Sequence, residues 1–260
     1  MLFHKSDREW EKFGRNDPYY GVLSHEKFRR DTLNNTTISD FFDSGQEQIA
    51  FVLKTIRACI YAEFSPARAL DFGCGVGRCV IPLAEVCETV VGADISESML
   101  GEAKQNCAAY AITNVELVKA DDALSKVSGI FDLIHCVLVF QHIPCPRGEK
   151  IFMHLVERLA NNGIAAIQFV YHRDASSFIR LMSLLRKYFP LLHNLANLFY
   201  HKYFSEPLME KNVYNLNRLF TILDENGCGN VHIRFLGGRE LQSIILFFQK
   251  KRDEIPLLCR

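Results

Sequence analysis

The chain has 260 residues, 48% hydrophobic and 23% charged, which is enough apolar material for a sizeable core in one large domain. Thirty basic residues balance thirty acidic ones, so the overall charge excludes any argument for nucleic acid or an anionic surface as partner of the chain as a whole, leaving only a local patch.

The amino terminus, "MLFHKSDREWEKF", is charged throughout and lacks the apolar core of a leader peptide. Residues 1–66 predict no strand. They read as helices around "DREWEKF", "SHEKFRR" and "GQEQIAFVLKTIRACI", joined by polar turns such as Asn34-Asn35, and are expected to form a helical extension or flap. Within them "FGRNDPYYGVLS" leaves two readings of Tyr19 and Tyr20, a flap over a site or the packing of an extension. "SGQEQI" at 44–49 opens the last of these helices and could border a site.

From 67 to 171 short apolar runs alternate with amphipathic ones. "ARALDF" leads into a glycine turn and a helix to about Cys87; "TVVGAD" precedes a helix from Ser96 to about Tyr110. Then come "VELVKA", "FDLIHCVLVF", a helix from about Gly148 to Leu159, and "GIAAIQFVY". Strands this continuously apolar are buried on both faces, as in a parallel sheet with helices either side. Residues 175–204 predict helices rich in aromatics and interrupted by Pro190, inside an expected cap insertion at about 172–211. Three roles stay open for them: a lid, a contact in a homodimer, or a membrane-surface element carrying Arg180, Arg186 and Lys187. "NVYNLNRLFTILDENG" reads as a helix capped at Gly227, and "NVHIRFL" and "LQSIILFFQK" as strands joined at Gly237-Gly238. No stretch reaches the roughly 18 uninterrupted apolar residues of a membrane span, so no stable membrane insertion is expected. Nine cysteines, the last of them Cys259, form no C-x-x-C pair; reduced thiols in the cytoplasm fit them better than disulfides, and no metal site is expected.

The turn "DFGCGVGR" places glycines at 73, 75 and 77. A dinucleotide fingerprint needs G-x-G-x-x-G, but its last position here is Arg78. No G-K-S/T phosphate loop and no G-x-S-x-G nucleophile turn occurs, and no tyrosine is followed four residues later by lysine. Asp94 ends the second apolar strand about twenty residues beyond the turn, where a carboxylate accepts ribose hydroxyls. Asp121 and Asp122 follow the third, where a carboxylate can accept from an adenine amino group. An acid-lined crevice suits adenine, ribose and a cationic tail without phosphate, as in S-adenosylmethionine.

The run "ALDFGCGVGR…VVGADISESMLGEAKQN…NVELVKADDAL…FDLIHCVLVFQHI" resembles the class I, Rossmann-like S-adenosylmethionine-dependent methyltransferases over residues 67–171. The resemblance implies an α/β fold, doubly wound around a mostly parallel seven-stranded sheet, with residues 67–260 as the methyltransferase domain. It implies that Gly73, Gly75 and Gly77 approach the methionine part, Asp94 takes the ribose and Asp121 contacts adenine. Cys74, Ile95, Asp122, Val137 and Tyr20 are expected beside them. His142, in "VFQHIP" after the fourth strand, is the candidate general base; its alternative is a residue that merely shapes the loop. The implied reaction moves a methyl group to an oxygen or nitrogen of a small molecule, releasing S-adenosylhomocysteine. The absence of a D/N-P-P-Y motif after the fourth strand, with the balanced charge, argues against nucleic-acid substrates. A non-catalytic S-adenosylmethionine-binding module and, further off, a nicotinamide oxidoreductase are the alternatives.

Overall fold

The computed structural model describes residues 5–200, 202–238 and 240–251; Cys259 and the side chain of Arg180 lie outside what it describes. Seven strands form one sheet in the order β3-β2-β1-β4-β5-β7-β6. Their ranges are β1 Arg68–Phe72, β2 Thr89–Asp94, β3 Val115–Lys119, β4 Phe131–Cys136, β5 Leu159–Arg173, β6 Cys228–Leu236 and β7 Leu241–Lys250. The first five are mutually parallel, and β7 alone runs against its neighbours β5 and β6. The Gly237-Gly238 turn joins β6 to β7.

The apolar runs are buried on both faces because each face carries its own core. Ala69 and Leu133 join the cluster that holds α3 (Asn35–Cys59), α4 (Val80–Val86) and α5 (Glu97–Ala109). Leu70 and Ile134 join the other, which holds α6 (Cys145–Glu157) and α9 (Leu216–Glu225). The remaining helices are α1 (Lys5–Asn16), α2 (Pro18–Val22), α7 (Ser177–Tyr188) and α8 (Pro190–Phe199). No helix among the described residues is long and apolar enough to cross a membrane. Strand order reverses at β1, which β2 flanks on one side and β4 on the other; such a switch point opens a crevice at the strands' carboxyl ends.

Several helix boundaries differ from the expectation. The long amino-terminal helix starts at Asn35, not Gly45, because the Asn34 side chain accepts from Thr37 N while Thr37 Oγ1 accepts from Asn34 N, a reciprocal cap. The extra turns bury Phe41 and Phe42. "SHEKFRR" makes only one 3-10 turn at Glu26–Phe28, whereas "DPYYGVL" contains the short α2 with proline in its first turn. Helix α6 begins at Cys145, directly after Pro144, not at Gly148. The last helix begins at Leu216, because the stretch before it is drawn out along the site: Asn212 N donates to Gln141 O and Tyr214 N to Val170 O.

Candidate functional site

The crevice at the switch point holds a partly open pocket between the strand ends and helices α1 and α2. Its floor is the glycine loop. Gly73, Gly75 and Gly77 have φ of +76°, +54° and +89°, a region side-chain-bearing residues rarely adopt. A Cβ at Gly73 would lie 2.2 Å from Val139, and one at Gly75 would lie 2.5 Å from Val22. Asp94 locks the loop: one carboxylate oxygen accepts from Gly75 N at 2.9 Å and the other from Ser96 N at 2.8 Å. Burial nevertheless pushes its pKa up to about 6. Each oxygen keeps a lone pair, so the carboxylate can accept further hydrogen bonds from a ligand.

Asp121 and Asp122 line the wall after β3. Asp121 accepts from Ser125 N and the Ser125 hydroxyl, which outweigh the opposing effect of burial and lower its pKa. Asp122 takes a two-pronged contact from Arg147, at 2.8 Å from Nε and 2.6 Å from Nη2. Ile95 and Val137 also line the cavity. His142 stands on the far wall. Its Nδ1 lies 2.8 Å from Glu210 O, which can only accept, so Nδ1 carries the proton. Nε2 is then the lone-pair nitrogen, with Gln141 Nε2 at 3.0 Å. Burial pushes the pKa of His142 down to about 4, so the ring is neutral near pH 7.

Three expected residues are not on the walls. Cys74 is buried beneath the loop, its Sγ directed toward Gly92, and burial raises its pKa well above the usual thiol range. Gly77 faces Ala103 on α5, where a Cβ would make only ordinary contact at 3.6 Å, so its lack of a side chain serves the turn. Tyr20 is covered by the Arg29 guanidinium, 3.7 Å from its ring, and points into the amino-terminal layer. Tyr19 is likewise held away, donating to Asn106 Oδ1 at 2.9 Å. Ser44 and its helix start do not border the cavity; Ser44 O instead accepts from Arg78 Nη1 at 3.1 Å.

Helices α1 and α2 close the cavity with residues that sequence reasoning missed: Asp7, Trp10, Gly21 and Val22. The Trp10 ring meets His142 edge-on at 4.8 Å. Glu11 binds the amino end of α5, accepting from the Ser96 and Ser98 hydroxyls at 2.8 and 2.7 Å. Burial opposes charge on Glu11, but these hydrogen bonds win and lower its pKa to about 2. Arg147 reaches Asp7 as well as Asp122, stapling α1 to the rim. A lone tryptophan in a charged terminal helix was the available signal. Among the described residues no three His, Cys, Asp or Glu are grouped to hold a metal.

Residues 69–163 match a family model described as a methyltransferase domain. A magnesium-protoporphyrin O-methyltransferase of Synechocystis sp. strain PCC 6803 is 30% identical over 145 residues, 47% of this chain and 63% of that one. A ubiquinone biosynthesis O-methyltransferase of Methylococcus capsulatus is 31% identical over 80 residues, 30% of this chain and 34% of that one. The matched stretches thus span less than two thirds of either relative's length. Among solved structures, magnesium protoporphyrin IX methyltransferase of Synechocystis PCC 6803 with bound SAM has a TM-score of 0.61 at 20% identity, covering 96% of this chain and 99% of that one. The strand order, the lone antiparallel β7 and the crevice over β1 define the class I methyltransferase fold. Over residues 69–163 the chain is thus similar to a methyltransferase domain, on a sheet of the class I methyltransferase fold.

Proposed function

We propose that this protein is an S-adenosylmethionine-dependent methyltransferase acting on an oxygen or nitrogen of a small-molecule acceptor. The observation that carries the reading is the loop of positive-φ glycines bonded to buried Asp94 on the floor of the cavity. Side chains at Gly73 or Gly75 would fill that floor, and the carboxylate there suits vicinal hydroxyls, so the residues fit the cofactor. S-adenosylmethionine, when bound, supplies an electrophilic methyl group on a sulfonium. Asp94 accepts the ribose hydroxyls, Asp121 faces the adenine amino group, and the backbone of Gly73 and Gly75 borders the methionine part.

The chain's own task is alignment and exclusion of water. Trp10, Val22, Val137 and Val139 wall the space with apolar surface. His142 is fixed by Glu210 O with its lone pair on Nε2; the acceptor's hydroxyl or amine displaces the Gln141 amide from that nitrogen, which takes the proton as the new bond forms. The names of the aligned O-methyltransferases favour an oxygen acceptor. The balanced charge supports a substrate other than nucleic acid, and the eight free cysteines among the described residues support a reducing, cytoplasmic setting. Transfer of labelled methyl from S-adenosylmethionine across a panel of phenolic, carboxylic and amine acceptors tests the activity. Titration calorimetry with S-adenosylhomocysteine against NADH tests the cofactor; tight NADH binding lost in Gly75→Val would overturn it.

A further inference from the structure

Helix α8 is amphipathic but inside out, and α7 beside it leaves much of its apolar surface exposed. A surface helix in water turns its apolar stripe inward and its polar face outward. Here the inward side carries His193 and Asn197, both buried, with His193 Nε2 at 2.8 Å and Asn197 Nδ2 at 3.0 Å from Glu206 O. The outward side carries Phe178, Leu181, Tyr188, Phe189, Leu191 and Phe199, exposed by 54–86%. Along α7 and α8 these side chains recur at helical spacing, and Tyr188, Phe189 and Leu191 crowd the bend between the helices. Isolated exposed apolar residues are ordinary; two adjoining stripes of them mark an interaction surface.

The charge of the segment selects the partner. From Ala175 to Phe204 there is no Asp or Glu, whereas Arg180, Arg186, Lys187 and Lys202 all fall within it. Glu210 and Glu206, beyond its end, hold Lys187 at 2.9 Å and Lys202 at 2.6 Å. Arg186 is held instead by His193 and Asn197, which bring no negative charge, so the segment stays net positive. A second copy on this face would set like charge against like charge, since a two-fold contact pairs a patch with itself. An anionic phospholipid surface meets both properties at once: its headgroups attract the basic residues, and the boundary below them accepts aromatic and leucine side chains.

We infer that α7 and α8 are a docking element for an anionic bilayer surface, lying in the interface without spanning it. The chain returning from α8 passes Glu210, whose carbonyl holds His142, so docking sets the far wall of the cavity beside the bilayer. The inference stands independently of the methyl-transfer reading, because it rests on exposure and charge alone.

Co-sedimentation of the full chain with vesicles tests it, comparing pure phosphatidylcholine with an equal mixture of phosphatidylcholine and phosphatidylglycerol. The expected result is partitioning onto the mixed vesicles alone, weakened by salt. Replacing Tyr188, Phe189 and Leu191 together by serine is expected to reduce it about tenfold or more. Phe235→Ser, at an exposed phenylalanine on β6, serves as control and leaves it unchanged. Four results would each overturn the inference: no binding to either vesicle, equal binding to both, binding indifferent to the triple substitution, or a solution dimer that the triple substitution dissolves. Wild-type binding decides the matter even if the triple variant folds poorly, which its thermal transition reports.

Discussion

Asp94 does two jobs with one carboxylate. It closes the glycine loop onto β2 through Gly75 N and Ser96 N, and its remaining lone pairs face the cavity. Asp94→Ala is therefore expected to weaken S-adenosylhomocysteine binding by roughly 1.5–3 kcal/mol, the range for lost charge-assisted hydrogen bonds, measured by calorimetry on folded protein. Its raised pKa of about 6 adds a pH signature. A ligand whose hydroxyls donate to Asp94 favours the ionised form, so affinity should be full at pH 8 and fall as pH drops through 6. A flat affinity from pH 8 to 5 would remove the ribose assignment. His142 behaves oppositely: with its pKa near 4 it is already neutral at pH 6 and above, so it introduces no rise in turnover between pH 6 and 8. His142→Gln is expected to lower turnover by about 10²-fold while leaving cofactor affinity intact. Near-normal turnover would leave alignment as the whole mechanism.

At the level of elements, α1 is the decisive piece: it joins no strand, and beyond the buried Phe13 its seat on the cavity is fixed by polar contacts. Two electrostatic contacts hold it there: Glu11 on the amino end of α5, and Asp7 on Arg147. Glu11 contributes stability that is fully present above its unfolded pKa of 4.5 and is lost as pH falls toward 2. Arg147→Met leaves Asp7 and Asp122 facing each other without their shared cation. Amide exchange across α1 should then quicken and turnover fall, while exchange in β1 and β4 stays unchanged. Equal quickening throughout the sheet would mean that α1 is simply part of the core.

For the whole molecule, one buried ionic cluster joins segments far apart in the chain. Arg29 bonds Glu206 at 2.9 Å and Asp17 at 3.3 Å while lying over Tyr20, tying the amino-terminal layer to the segment that follows α8. All three side chains are nearly sealed from water, so removing the cation leaves Asp17 with the Arg30 amide alone and Glu206 with Lys202 alone. Arg29→Met should lower unfolding free energy by about 3–5 kcal/mol in urea titration, against less than about 1 kcal/mol for Lys27→Met at the exposed pair with Asp40. A small loss at Arg29 would show that the two layers are held by apolar packing alone.

The parallel sheet and its glycine turn were legible in the chain because their signals are local. "ALDFGCGVGRCV" contains the strand, the positive-φ positions and the helix start within a dozen residues, and the spacing to Asp94 follows from one strand–helix–strand unit. Gly73, Gly75, Asp94, Ile95, Asp121, Asp122 and Val137 meet at one cavity for that reason, each sitting at the carboxyl end of a neighbouring strand. Trp10 and Val22 were not legible as site neighbours, since their positions depend on how the amino-terminal helices dock across a sheet built from residues far along the chain. Tyr20 was misplaced for the same reason: its aromatic neighbourhood suggests a flap, but Arg29 claims its ring. Periodicity also marks α7 and α8 as amphipathic without saying which stripe faces the protein. Only the buried bonds of His193 and Asn197 decide that, because a polar pair sealed from water must find its acceptors, and here Glu206 O lies on the inner side.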